Sequence, residues 1–236
     1  MHFGALWIGN TIPTIQQISL SSFIHYGHTL DLYVYDFSLE VPDGIVKKDA
    51  SEILPQSELF LVSDSYAVFA DLFRYNMIQK TGHTWTDCDV VCLSSNWNFD
   101  TDILAGVENN PERDLVVGSV LRLPQNSEIL NYLIDKATGL DKTKLAWPDL
   151  GPFLLTEAFD KFGLTDRALP MTAFAGVAPK DFMYFWDPSK LEYLLSFGED
   201  TKAMTFYNQM IRWANMDTSN FPKGSALDYF HKKFVK

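Results

Sequence analysis

Two aspartates one residue apart, Asp87 and Asp89, stand just ahead of the apolar run Val90, Val91, Cys92 and Leu93. Side chains alternate along an extended segment, so both carboxylates point the same way. Two hard oxygen donors converging beside a strand suit Mg²⁺ or Mn²⁺ carrying a phosphorylated ligand. The spacing alone is weak, because a chain this acidic holds about one Asp-x-Asp pair by chance. Asp100 and Asp102 form a second pair. They follow Asn96, Asn98 and Phe99 in a polar stretch, which reads as a turn or helix cap.

Asp87 and Asp89 differ by what leads into them. From residue 65 to residue 81 the chain has helical periodicity, with Phe69, Leu72, Phe73 and Met77 as a buried stripe. A second stripe, Ala67, Ala70, Asp71 and Arg74, carries small side chains and two charges. Gly82 ends this helix, and a strand starts at residues 84–86. An acid and a guanidinium one turn apart can accept from and donate to vicinal hydroxyls, which favours a sugar. The same two residues also read as a surface salt bridge beside a solvated strand end.

The elements upstream supply a frame. Residues 3–8 read as a buried strand, Gly9 and Asn10 as a turn, and Thr11 as the cap of a helix starting near Pro13. Ile15, Ile18 and Phe23 face inward on that helix, and Gly27 stops it. Residues 29–35 return as a strand ending at Asp36. A strand-helix-strand unit predicts parallel pairing with a right-handed crossover. Ligands collect beyond the carboxyl ends of such strands. This groups Trp7, Ile8, Gly9, Tyr35, Asp36, Asp87 and Asp89 around one crevice. By itself Trp7 reads as core, and His25 and His28, straddling Gly27, as a cap and a strand-entry residue.

Farther on, residues 41–56 read as a polar loop with a short helix, and residues 96–114 as irregular. Residues 115–121 (LVVGSVL) form another buried strand, and residues 126–137 a helix. Asp149, Leu150, Gly151 and Pro152 precede a helix over 153–162. Residues 201–214 have a helical pattern. A break at residues 221–225 leads to a last helix with Leu227, Phe230 and Phe234 inward. The final third is rich in aromatics, among them Phe174, Tyr193 and Trp213. Some are core, and an exposed subset would stack on sugar C–H faces.

Composition sets outer bounds. The 236 residues suit one domain with a sizeable core, or one domain plus a small appendage, and 47% hydrophobic content argues for a packed globule. A net charge of −11 makes nucleic acid and anionic lipid poor general partners. Cys88 and Cys92 lie four apart in one strand region, too far to bridge easily, and read as reduced thiols of a cytoplasmic protein. No apolar run reaches membrane-spanning length, and the opening MHFGALWIG lacks the basic region of a signal peptide.

The order A-D-x-x-R followed by G-H-x-W-x-D-x-D resembles the family 32 bacterial glycosyltransferases of capsule and lipopolysaccharide synthesis. More distantly it is similar to the glucosylating domains of large clostridial toxins. FGALWIGN at residues 3–10, residues 22–35, Asn208 and the Pro222-Lys223-Gly224-Ser225 tail fit the same pattern, so the resemblance covers nearly the whole chain. It implies a GT-A-like α/β fold: a Rossmann-type mixed sheet flanked by helices, with a helical C-terminal part. It implies one glycosyltransferase domain, with a nucleotide-sugar part over 1–121 and an acceptor side and lid over 122–236.

The implied reaction is metal-dependent transfer from a nucleotide sugar, UDP-linked, to a saccharide or glycolipid acceptor, with retention of configuration. Mn²⁺ or Mg²⁺ is the implied cofactor. Asp89 is the implied principal metal ligand, with Asp87 bridging metal, ribose and sugar. Asp71 and Arg74 match the pair that binds donor-sugar hydroxyls, and Trp7 the residue that stacks on the base. Gly9 and Asp36 border the nucleotide, and Lys223 suits the diphosphate as a mobile point charge. Asp149, beside the family's T-G-P turn, is a sugar contact or an N-cap. Thr205 stands where the family has a histidine, which leaves Asn208 and Ser225 as neutral oxygens for the metal side. A catalytically inactive sugar-binding module and another metal-dependent nucleotide-sugar enzyme are the alternative readings.

Overall fold

The structure, a computed structural model, describes residues 1–110 and 112–235. Strand β1 (His2–Trp7), helix α1 (Thr14–His25) and strand β2 (Thr29–Val34) form the expected unit. β1 and β2 pair in parallel, from His2 opposite Thr29 to Trp7 opposite Val34. Ile15, Ile18 and Phe23 are buried on α1. Gly27, with φ of +76°, takes the left-handed turn out of the helix. Thr11 does not cap α1; Pro13 takes that position, where its fixed φ is already suitable.

Helix α2 (Ala67–Thr81) crosses back and ends at Gly82, with φ of +69°. Phe69, Leu72, Phe73 and Met77 are buried as expected, but Asp71 and Arg74 are buried too, so this helix has little polar face. It delivers the chain to β4 (Thr84–Thr86), which lies parallel to β1. With β3 (Val46–Asp49), β6 (Leu104–Glu108) and β7 (Leu115–Arg122), a central sheet follows the order β3-β2-β1-β4-β7-β6. β7 runs antiparallel to β4 and to β6. The α/β mixed sheet flanked by helices is thus observed.

Three expectations need correction. The loop over 41–56 contains β3 (Val46–Asp49), an edge strand parallel to β2. Its sequence VKKD hides it, because edge strands are short and lysine-rich. The irregular stretch over 96–114 contains β6, whose Ala-Gly centre carries weak strand propensity. The helix expected over 201–214 is a strand, β8 (Ala203–Thr205), followed by α6 (Asn208–Trp213). Helical periodicity loses there to pairing with β5 (Val90–Cys92), and Tyr207 at φ +60° separates strand from helix.

Both sheet faces are covered. Leu6, Tyr33 and Trp85 point toward α2, α3 (Glu128–Gly139) and α4 (Leu154–Lys161). Phe3, Ala5, Leu30 and Leu32 point the other way, toward Leu20 and Phe23 of α1. A third apolar cluster joins α1 to α7 (Ala226–Phe234) through Ile15, Ile18, Phe206, Leu227 and Phe230. A short helix, α5 (Leu191–Leu195), lies in the loop-rich stretch before β8. Among the described residues no helix is long and apolar enough to cross a membrane. Cys88 and Cys92 are free thiols.

Candidate active site

Asp71 and Arg74 sit one turn apart on α2, and the guanidinium Nη2 bonds the Asp71 carboxylate Oδ1. The fork reaches toward Asp87, with Nη2 4.0 Å from Oδ1, and lies 5.6 Å above the Trp85 ring. Trp85 in turn donates its Nε1–H to Asp87 Oδ1 at 2.7 Å. The buried indole therefore orients the first aspartate from below.

The room for this pair comes from two glycines. An alanine Cβ at Gly118 would stand 2.2 Å from Arg74 Nη1, and one at Gly151 would stand 2.9 Å from Asp71 Oδ2. Gly118 lies in mid-strand in β7, next to Ser119, whose carbonyl accepts from Asp87 N at 2.8 Å. Gly151 lies in a wide helical turn, Asp149–Phe153, that leads into α4. Tyr75 of α2 fixes that turn by donating its hydroxyl to Leu150 O at 2.6 Å. Trp85 and Gly118 were not among the expected site residues. The signals were present, since tryptophan two residues before an aspartate shares its face in a strand, and glycine inside a strand marks close approach.

Asp89 is held from the other end of the chain. The Asn208 backbone N–H donates to Asp89 Oδ2 at 2.7 Å, and Phe206 N donates to Asp89 O at 2.8 Å. Asn208 opens α6, so the carboxylate meets the amino end of a short helix. Between the two aspartates, Cys88 Sγ bonds Leu6 O at 3.3 Å and ties this turn to the carboxyl end of β1.

Burial and like charge shape the acids. The Asp87 side chain keeps 32% of its surface open, yet dense protein lies around it. Burial pushes its carboxyl upward, against the pull of Arg74 and the Trp85 hydrogen bond. Asp89 is pushed up to about 6, by burial first and then by the charge of Asp87, against the hydrogen bond from Asn208. Asp71 is raised to about 7 by burial, with Arg74 opposing. Two carboxylates that repel each other, with one guanidinium at the edge, form a site short of positive charge. Their oxygens are hard donors, so a divalent cation of the Mg²⁺ or Mn²⁺ class fits.

A pH dependence follows. A carboxyl whose folded pKa is raised favours the fold most below its unfolded value, near 4, and loses that share as pH rises through about 6. Without metal, the stability of the native protein relative to Asp89→Ala should fall as the pH goes from ~4 to ~7. Metal binding needs the ionised forms, so the rise in unfolding temperature caused by Mn²⁺ should grow over the same range. Thermal unfolding at stepped pH, with EDTA and with Mn²⁺, measures both slopes.

The remaining expected residues lie at varied distances from this core. Trp7 is half-buried at the end of β1, not core, and its Nε1–H donates to Thr11 O at 2.9 Å. Gly9 is exposed just beyond it. Asp36 is exposed past the end of β2 and accepts from Ser38 N at 2.8 Å. Hydrogen bonds from Ser38 hold its carboxyl below the usual range. Asp149 neither caps α4 nor stands free: its Oδ2 accepts from Ala146 N at 2.7 Å and closes the turn. Thr205 spends its hydroxyl on Phe174 O at 3.1 Å.

Lys223 is exposed. Ser225 conflicts with its expected role as a metal ligand. It is fully enclosed, and its Oγ accepts from Asp228 N at 3.2 Å as the cap of α7. Asp102 forms an exposed pair with Arg167 at 3.4 Å, as suits a turn. A broad depression lined by Asn110, Arg113, Phe153 and Asp160 contains none of the expected site residues.

No protein-family model matches the sequence, and a comparison with curated proteins finds no match. Solved structures do match. The chain superimposes on the PaToxG glycosyltransferase with a TM-score of 0.52 at 17% identity, over 70% of this chain and 71% of that one. The two chains share a fold. A looser likeness, to the WbbM bifunctional glycosyltransferase, has a TM-score of 0.45 at 9% identity and spans 100% of this chain but 52% of that one. It adds nothing to the assignment of the fold.

Proposed function

We propose that this chain is a metal-dependent glycosyltransferase that moves a sugar from a nucleotide sugar, UDP-linked, to a saccharide or glycolipid acceptor. One observation carries the reading: the buried Asp71–Arg74 pair meets the Asp87–Asp89 turn, with Arg74 Nη2 4.0 Å from Asp87 Oδ1 and Gly118 and Gly151 clearing space for the pair. A salt bridge serving only stability would not need Arg74 buried beside a second acid, Asp87, since such burial costs desolvation.

Asp89 and Asp87 would hold Mn²⁺ or Mg²⁺, and the bound ion would offset the charge of the leaving diphosphate. Ser225 would join them only by giving up its cap on α7. Asp71 accepts from, and Arg74 donates to, vicinal hydroxyls of the donor sugar, which fixes the anomeric carbon relative to the acceptor. Trp7 offers a ring face at the carboxyl end of β1 for the base, with Gly9 and Asp36 bordering the nucleotide. Lys223 is the mobile cation for the diphosphate, and Asn208 orients Asp89 through its backbone. Asp149 sets the turn that holds Gly151. The resemblance implies retention of configuration; with Asp87 and Asp89 assigned to the metal and Asp71 to the donor hydroxyls, retention would proceed by front-face attack. Residues 1–121 would form most of the nucleotide-sugar part, and residues 122–236 the acceptor side and a C-terminal lid that brings Lys223 to the diphosphate.

The exposed aromatics suggest where the acceptor lies. Trp213, 65% exposed, ends α6, and its ring centroid is 6.1 Å from that of Trp147. α6 starts at Asn208 on Asp89, so Trp213 lies roughly 7–8 Å along the helix from the pair. That is about the reach of one sugar unit, and a tilted indole pair can stack on its C–H faces. Trp213→Ala should raise the KM for acceptor about tenfold and leave donor hydrolysis intact, because one stacked ring contributes roughly 1–2 kcal/mol. Steady-state kinetics with and without acceptor separate the two. The reading as a whole is tested by thermal shift with UDP-, GDP- and CMP-sugars, each with and without Mn²⁺. Stabilisation by a nucleotide sugar only when Mn²⁺ is present supports it; no stabilisation by any of them contradicts it.

A further inference from the structure

At the other end of the sheet, three side chains meet that the proposed transfer does not use. His2 opens β1, Asp31 lies in β2, and His83 sits between the stop of α2 and β4. The strand register brings them together. Phe3 pairs with Thr84, so His2 and His83 are neighbours one step earlier. Asp31 pairs with Gly4, two residues along β1 from His2 and on the same face. Gly4 has no side chain, and the Asp31 carboxylate is left facing the imidazoles.

The rings of His2 and His83 stack, with centroids 3.6 Å apart and planes 19° apart. One carboxylate oxygen, Asp31 Oδ2, faces His2 Nε2 at 3.1 Å and His83 Nδ1 at 3.8 Å. The side chain of Asp31 is 6% exposed. Among the described residues, the buried His83 Nδ1 finds no hydrogen-bond partner. Either tautomer leaves it poorly placed. With a proton, it is too far from Oδ2 to donate. Without one, its lone pair looks at a carboxylate. A cation between the three atoms removes both problems.

We propose that His2 Nε2, Asp31 Oδ2 and His83 Nδ1 form a metal site for a late first-row dication of the Zn²⁺ class. All three donor atoms lie within 4.8 Å of one another. Tetrahedral ligation at 2.0–2.2 Å spaces donors about 3.3–3.5 Å apart and uses the in-plane lone pair of each ring, so one imidazole must turn out of the stack; His2, 42% exposed, has the room to do so. Two imidazoles and one carboxylate select Zn²⁺, Co²⁺ or Ni²⁺ over Mg²⁺. The fourth position stays open to water or an external ligand. Lys48 Nζ, 3.9 Å from the same oxygen, is the competing cation and would swing away on loading; it is half-exposed and free to do so.

The site lies roughly 15 Å along β1 from the level of Cys88. It is chemically distinct from the aspartate pair, which offers only hard oxygens. Its ion would staple β1 and β2 to the α2–β4 junction, the segment that carries Asp71, Arg74 and Asp87.

The test uses tag-free, full-length protein carrying Asp87→Ala and Asp89→Ala, so that ions at the crevice do not count. After chelator treatment it is titrated with Zn²⁺ by calorimetry and with Co²⁺ by visible absorption. One equivalent of Zn²⁺ should bind, the Co²⁺ spectrum should show tetrahedral d–d bands, and Zn²⁺ a hundredfold above Kd should raise the unfolding temperature by roughly 5–10 °C. Adding His83→Ala, or separately the half-exposed His2→Ala, should abolish all three. Asp31→Asn, which keeps shape, should weaken binding at least tenfold. Failure of the parent to bind Zn²⁺, or undiminished binding after either histidine is removed, would overturn the site and leave a stacked histidine pair on a carboxylate.

Discussion

Asp89→Ala is expected to lower sugar transfer by about a thousandfold or more and leave the fold standing. The rate loss follows from charge. A leaving diphosphate develops negative charge that must be met at the site, and several kcal/mol of lost stabilisation amounts to three or more powers of ten. The retained fold follows from position. Asp89 is half-exposed in a turn between β4 and β5, and its side chain is tied to the rest of the fold by the hydrogen bond from Asn208 N. Losing that bond costs about 1 kcal/mol, and relief of repulsion with Asp87 offsets part of it. Asp102→Ala, which removes an exposed partner of Arg167, should be nearly silent. Activity assays and thermal unfolding on the two variants decide between the pairs: an Asp102 variant as inactive as the Asp89 variant, with stability retained, would assign the chemistry to the wrong aspartates.

Arg74→Lys and Asp71→Asn should cut transfer by a hundredfold or so while sparing affinity for UDP with Mn²⁺, because UDP lacks the sugar these residues are proposed to hold. Arg74 cannot be removed lightly. It is enclosed among Asp71, Asp87 and the Trp85 ring, and truncating one member of a buried ion pair costs about 3–5 kcal/mol. Gly118→Ala offers a cleaner probe, since it changes no charge. Its Cβ would stand 2.2 Å from Nη1 and 3.0 Å from Leu155 Cδ1, so the fork must shift off the strand. Gly118→Ala should therefore reproduce the transfer defect of Arg74→Lys. Full transfer in Gly118→Ala, or a loss of UDP affinity equal to the loss of transfer in Arg74→Lys, would take the pair out of the donor-sugar site.

Local chemistry made the first half of the fold legible. Alternating apolar residues flanked by Gly9 and Gly27 specify the β1-α1-β2 unit, and Gly82 marks the helix end before β4. The parallel frame then placed the crevice at the strand ends. What stayed hidden was long-range pairing. β3 and β6 are edge strands of low intrinsic propensity, formed because β2 and β7 present unpaired backbone. β8 carries a helical pattern and becomes a strand because β5 lies beside it. The same blindness affected the site. The Asn208 residue was visible, yet its contribution through a backbone N–H 119 positions from Asp89 was not. Ser225 looked like a ligand by type, whereas its neighbour three residues on makes it a helix cap. Gly118 was visible as a strand glycine, and only packing revealed what it makes room for.

The central claim is that the aspartate pair binds a nucleotide through a divalent cation. Calorimetric titration of UDP into the native chain and into Asp89→Ala, each in Mn²⁺ and in EDTA, tests it most directly. Binding should appear for the native chain in Mn²⁺ and be at least a hundredfold weaker in the other three titrations. UDP affinity unchanged by EDTA, or unchanged by Asp89→Ala in Mn²⁺, would contradict it.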